Sequence, residues 1–398
     1  MQHFRDLDID HLRRLATRLF TDGHYLHADT VLEQLAELTA GDRAQIALRR
    51  AQIGMLSDRM SDVGEQLEIA REEYGLHVYF VGLEADMAIR KGDLAAAATS
   101  LRQLGRHARA EHLEGFDGDW YRVRERSAGL VPVDVEYPLP LFEVTVNGVS
   151  GRFVLDTGTG DCLLDSRFAD RAGVEPGPHD QASFAGGRLG HWQLARVDSL
   201  SIGGSYFEML PAMISPLDMA FQHGFANSPV DGILGAGLLR AAGGVDIDYR
   251  EAQFRLGSPG VTAAEPLWIA GPHYPLTPCQ ANGGPASSWF IDSGMSGIDL
   301  ACSESAAKRH GAQALDGDIE AHGGGGALSA KAVRIRDFRH ADLEYPELPA
   351  AVLPGFSLGR ELGIRIGGII GHDWLARHRV QLDYRNMQAR ISGEVSSG

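Results

Sequence analysis

One stretch of this sequence occurs twice, in register, and that repetition constrains the fold more than any other feature. Phe153-Val154-Leu155-Asp156-Thr157-Gly158 returns as Phe290-Ile291-Asp292-Ser293-Gly294. Asp231-Gly232-Ile233-Leu234-Gly235 returns as Gly367-Gly368-Ile369-Ile370-Gly371, and Val245-Asp246-Ile247-Asp248-Tyr249-Arg250 as Val380-Gln381-Leu382-Asp383-Tyr384-Arg385. Asp156 to Gly235 and Asp292 to Gly371 span the same 79 residues, and the third element follows at 92 and 91. A lone Asp-Thr-Gly is an ordinary turn or helix cap. Three elements matched over that distance are a duplicated domain, with a linker around Gly257-Ser258-Pro259-Gly260.

In each copy an apolar run ends in a carboxylate, a small hydroxyl residue and a glycine. The run drives a strand into the core, and the glycine allows the tight turn at its tip. A carboxylate delivered there is costly to bury unless it is hydrogen-bonded or shares a proton. Two such strands related by an approximate twofold axis would set Asp156 against Asp292, and like charges that close hold one proton between them. The ionised member can take a proton from water while the protonated member polarises a carbonyl. Asp248 and Asp383, by contrast, read as structural strand residues.

The paired triplets, each followed much later by two apolar residues and glycine, resemble the aspartic peptidases, in both their pepsin-like and retropepsin-like branches. Ile369-Ile370-Gly371-His372-Asp373-Trp374-Leu375 is similar to the corresponding retropepsin-like segment. The resemblance covers 131–396. It implies an aspartic endopeptidase in which Asp156 and Asp292 are the dyad, with no metal or other cofactor. Thr157 and Ser293 would brace the two loops across the lobes, Gly158 and Gly294 would close their turns, and Gly235 and Gly371 would pack against them. Thr159 could hydrogen-bond the outer oxygen of Asp156, which Met295 in the matching place cannot do. The resemblance also implies substrate-covering flaps at two glycine-rich hairpins, Gly186-Gly187 and Gly324-Gly325, which points to a retropepsin-type dimer fused into one chain. Asp161 stands where related enzymes hold substrate backbone; a solvated turn residue is the plain alternative. The competing functional reading is a non-catalytic peptide-binding or scaffold protein that keeps the fold.

Upstream of the duplication the character is different. Leu12, Leu15, Ala16 and Leu19 recur at helical spacing, as do Leu32, Leu35, Ala36 and Leu38, and the first proline is Pro132. Breaks fall at Asp22-Gly23, Ser57-Asp58 and Lys91-Gly92-Asp93. Gly23, Arg59 and Gly92 lie 36 and 33 residues apart, near the roughly 34 of a tetratricopeptide repeat. A tetratricopeptide-like array and a plain helical bundle both fit. The expected architecture is therefore an N-terminal all-α bundle or repeat followed by an all-β bilobal fold. Its domains would be 1–126 (helical), 131–257 (first lobe) and 267–398 (second lobe). The helical part reads as a separate unit recruiting the protein substrate or a partner, so that 127–398 alone should fold and cut short peptides.

Composition narrows the remaining classes. A formal net charge of −16 argues against nucleic-acid phosphates as partners. Charges in every turn of the first twenty residues, and no later span of sufficient apolarity, argue against a signal peptide and a membrane. Cys162, Cys279 and Cys302 form no CxxC, and His24 with His27 or His372 with His378 make no ligand set, so no metal is expected. No Gly-Lys-Ser/Thr follows Gly323–Gly326, and no Gly-x-Ser-x-Gly elbow is present. A reduced, cytoplasmic chain is expected.

Overall fold

The computed structural model describes residues 8–39, 41–75, 77–116, 120–127, 129–183, 189–217, 222, 224–225, 228–323, 326–356 and 358–393. Seven helices come first: α1 Ile9–Thr21, α2 Tyr25–Leu38, α3 Arg43–Leu56, α4 Met60–Tyr74, α5 Val78–Lys91, α6 Leu94–Gln103 and α7 His107–Glu114. Their ends follow local chemistry. The Asp8 carboxylate accepts the His11 amide at 2.6 Å to open α1. Gly92 closes α5 in the left-handed conformation at φ 76°, and Asp93 then accepts the Ala96 amide at 3.0 Å to open α6. Neighbours pack as successive pairs, α1 on α2, α3 on α4 and α5 on α6.

Strands begin at β1 Arg122–Glu125, before the 127–131 boundary read from the sequence. There the edge strand of the first lobe precedes the composition change, because half-exposed Arg122-Val123-Arg124-Glu125 carries no strong apolar pattern. The first lobe continues with β2 Val131–Pro132, β3 Phe142–Val146, β4 Val149–Asp156, β5 Cys162–Leu164, α8 Ser166–Arg171, β6 Pro176–Ser183, β7 Leu189–Ile202, β8 Ser205–Ile214, β9 Gly232–Gly235, α9 Ala236–Ala242, β10 Val245–Asp248 and β11 Gln253–Leu256. The second runs through β12 Glu265–Pro266, β13 Trp268–Ala270, β14 Tyr274–Cys279, β15 Ser287–Ile291, β16 Leu300–Cys302, α10 Glu304–Arg309, β17 Gln313–Gly323, β18 Gly326–His340, β19 Leu343–Val352, α11 Leu358–Glu361, β20 Ile366–Ile370, α12 His372–Leu375, β21 Arg379–Asp383 and β22 Gln388–Ser392.

These strands form two eight-stranded sheets, one per lobe, and a six-stranded sheet ordered β12-β22-β21-β10-β11-β2 that joins them. The lobes repeat one plan. In the first, β4 runs parallel to β9 and β5 lies antiparallel to β9; in the second, β15 runs parallel to β20 and β16 antiparallel to β20. The third repeated element is the joint: β10 pairs antiparallel with β21, placing Asp246 opposite Gln381. Asp246 binds Arg379 and Arg255 there, and Asp383 accepts Ser258 Oγ at 2.7 Å, tying down the linker.

The helices do not stand apart from the β region. Leu12, Phe20, Tyr25 and Ile53 share one buried cluster with Trp268, Leu276, Phe290 and Ile366 of the second lobe. Tyr25 lies edge-on to Trp268 with centroids 5.2 Å apart, and its hydroxyl is 2.9 Å from Ser288 Oγ. Farther along, the fully buried Arg90 side chain of α5 donates to the carbonyls of Met55, Ile269 and Gly271. Arg240 of α9 reaches back to Asp58 at 2.9 Å and to the Arg90 carbonyl at 3.2 Å. The sequence suggested a separable helical unit; packing makes the helices a third wall of the same body, because the apolar faces of α1 to α3 are completed by the second lobe and α7 packs on β6 and β7 of the first.

Candidate active site

Buried Phe153-Val154-Leu155 and Trp289-Phe290-Ile291 carry their strands into the core and bring both aspartates to one place. The loops are braced reciprocally. Thr157 Oγ1 donates to the Ile291 carbonyl at 2.6 Å and accepts the Ser293 amide at 3.0 Å. Ser293 Oγ donates to the Leu155 carbonyl at 3.0 Å and accepts the Thr157 amide at 3.1 Å. Four bonds thus cross the lobe interface between two buried hydroxyls and the opposite backbones, which fixes the carboxyls relative to one another.

The Asp156 and Asp292 carboxyls lie side by side, and each acts on the other's ionisation. A methyl placed on Gly158 would lie 3.0 Å from an oxygen of each, so only a hydrogen fits beside the pair. The carboxyls are not equivalent. Asp156 accepts the Gly158 amide at 2.7 Å and the Thr159 hydroxyl at 2.9 Å. Asp292 accepts the Gly294 amide at 3.1 Å, and the buried Met295 offers no hydroxyl. Burial raises the Asp156 pKa, and the Thr159 and Gly158 donors pull it back. For Asp292 burial comes first, and the Asp156 charge then pushes the same way, so its carboxyl lies well above the usual range. One proton on Asp292 and a charge on Asp156 is the arrangement these environments favour.

Behind each loop sits a glycine. A side chain at Gly235 would meet the Gly160 carbonyl oxygen at 2.6 Å, and one at Gly371 the Ile298 carbonyl oxygen at 2.5 Å. The following helices bind the loops through matching amides: Ala236 N to Thr159 O at 2.8 Å, and His372 N to Met295 O at 2.7 Å.

The carboxyls open into a cavity of about 1050 Å³ that both lobes and the helical segment line. Hairpin arms β6–β7 and β17–β18 contribute Asp180, Trp192, His322 and Leu328 to its walls. The hairpin tips at Gly186, Gly187, Gly324 and Gly325 lie outside the described residues. Asp161 neither faces solvent nor stands free: Arg109 of α7 pairs with it at 2.5 Å and the Tyr121 hydroxyl donates to it at 3.3 Å. Arg106, at the start of α7, lies 3.6 Å from Asp180 on the hairpin arm. His273, one residue before β14, donates Nε2–H to the Gly158 carbonyl at 3.2 Å. Burial holds its ring neutral, with a pKa lowered to about 4.

Arg109, Tyr121 and His273 were not foreseen from the sequence. Each comes from a segment outside the repeated elements, and a lone arginine, tyrosine or histidine there has no spacing to mark it. Among the described residues no cluster of three or more His, Cys, Asp or Glu could hold a metal ion.

Two duplicated β lobes, each ending a buried strand in a braced Asp-Thr/Ser-Gly loop, define the aspartyl-protease class of architecture. Comparison with known families agrees: residues 142–238 and 277–374 each match the family described as aspartyl protease. The double match supports an aspartyl protease with duplicated lobes. No curated protein matches the chain significantly.

Proposed function

We propose that the chain is an aspartic endopeptidase in which Asp156 and Asp292 activate a water. The observation that carries this is the closely set carboxyl pair, inequivalent in environment, facing a cavity between the lobes. Asp156, supported by two donors, is the base that takes a proton from the attacking water. Asp292, with its raised pKa, donates to the carbonyl oxygen of the scissile peptide and receives the negative charge that develops there. A proton then passes to the departing amine, and the pair returns to one shared proton. Hairpin arms from both lobes on the cavity wall favour a two-flap, retropepsin-type closure. The substrate is an extended peptide, and α5 to α7 act on it as part of the cleft wall and as a face for a protein substrate or partner. Three buried, unpaired cysteines accord with a reducing cytoplasm. Among the described residues no helix is long and apolar enough to cross a membrane.

A peptide-library digest tests the reading. Asp156→Asn and Asp292→Asn should each abolish cleavage, and the double variant should lose little more, because the two groups act as a unit. Substantial cleavage by either single variant would remove the dyad assignment. A non-catalytic peptide-binding protein is the second reading, favoured by Met295, which leaves Asp292 without the hydroxyl that Asp156 has. Intact wild-type protein that binds peptides and cuts none would select it.

A further inference from the structure

Helix α5 places a carboxylate in the cleft that the proposed chemistry does not use. Asp86 lines the same cavity as the dyad, is part-buried, and makes neither a hydrogen bond nor an ion pair among the described residues. The two arginines whose charges act on it, Arg90 and Arg106, make their close contacts with other groups. Arg90, one turn on, is spent on three carbonyls and lies 3.5 Å from Asp58. Arg106 lies against Asp180. Tyr274, part-buried, lines the same cavity, its ring edge-on to Phe290 with centroids 5.3 Å apart. Burial raises the Tyr274 pKa to about 12, and four carboxylates reinforce that in the same direction: Glu361, Asp292, Asp156 and Asp86. All four of these carboxylates line the same cavity as Tyr274.

We propose that Asp86 and Tyr274 form a subsite of the cleft for a positively charged group of the peptide, a lysine or arginine side chain or a free α-ammonium. The proposal rests on the peptide-cleaving reading for its substrate class. A carboxylate without a partner in a confined cavity recovers the cost of its desolvation only when a cation meets it. The phenol adds an oxygen acceptor and a ring face to the same cation. Tyr79, Tyr274, Arg90 and Arg106 are the titratable and charged groups facing Asp86. Burial raises its pKa to about 6, so the subsite is charged above that pH and neutral below it.

The test is a set of acetylated peptides differing only by lysine or norleucine at each position, with a matching set bearing free amino termini. Wild-type protein should prefer the lysine peptide by about tenfold in KM at one position, or the free terminus over the acetylated one. The preference should fade as pH falls below about 6 and collapse in Asp86→Asn. Equal treatment of lysine and norleucine, and of free and acetylated termini, would overturn the subsite without any variant; so would a preference that persists in Asp86→Asn. The same peptides titrated calorimetrically against Asp292→Asn separate the two claims. Cation-dependent binding in a protein whose wild type cuts nothing keeps the subsite and rejects the peptidase. Cleavage without cation preference does the reverse.

Discussion

At the scale of single residues, the difference between the two halves of the site comes down to Thr159 and Met295. The Thr159 hydroxyl bonds the ionised form of Asp156, and a hydrogen bond to the charged form lowers a pKa. Thr159→Val should therefore raise the Asp156 pKa, moving the acid limb of the kcat profile to higher pH. A charge-assisted bond worth about 1.5–3 kcal/mol corresponds to a shift of about one to two pH units. Met295→Thr offers Asp292 the missing donor, so its pKa should fall and the alkaline limb should move to lower pH. Limbs that stay in place in both variants would show that these neighbours do not set the dyad's protonation. Asp292 also carries a stability consequence. Its folded pKa is raised above the ordinary 3.8, so the native state binds the proton more tightly than the unfolded chain. Stability is then lost as pH rises from the unfolded value through the folded one. Asp292→Asn, which cannot ionise, should melt higher than wild type at neutral pH and nearly level with it well below pH 3.8; calorimetry at the two pH values decides it.

Among elements, α7 has the most consequential placement. Its Arg109 occupies the carboxylate that follows the first Asp-Thr-Gly loop, and side chains on both sides of this pair are nearly covered, at 15% and 14% exposure. Removing one partner of so covered a pair leaves the other charge without compensation, at a cost of about 3 kcal/mol. Arg109→Ala should lower the melting temperature markedly, whereas pairing Arg109→Met with Asp161→Asn should recover much of the loss. A single variant as stable as wild type would mean that the bond does not anchor the helix. Sequence periodicity found these helices and the breaks at Asp22-Gly23 and Lys91-Gly92-Asp93, since glycine conformation and capping act locally. It did not find what α7 touches, because the partner lies in another segment and an arginine on a helix surface has no pattern that names its carboxylate.

For the whole molecule, the shared core of helices and second lobe reverses what composition suggested about separability. Each large side chain that a cut after residue 126 would expose, among them Trp268, Leu276, Phe290 and Ile366, forfeits about 1.5–3 kcal/mol of burial. Such a cut also removes β1 from the edge of the first sheet. Against a total stability of about 5–15 kcal/mol, the fragment 127–398 should be insoluble or molten rather than an active peptidase. Soluble expression with a cooperative thermal transition and cleavage of a short peptide would show instead that the lobes stand alone.

The sequence by itself determined the duplication, the two carboxylate loops with their hydroxyl and glycine neighbours, and the order of helices before strands. Those features are encoded in short runs such as Phe153–Gly158 and Gly367–Gly371, where alternation, turn chemistry and repetition at one spacing leave a readable trace. Tertiary structure alone decided that Arg109 takes Asp161, that His273 reaches the Gly158 carbonyl, and that Asp86 lines the cleft. Those contacts join segments far apart in the chain, and they depend on how three apolar surfaces close on one another. Burial of that kind is non-directional, so it writes the hydrophobic faces into the sequence without recording which faces will meet.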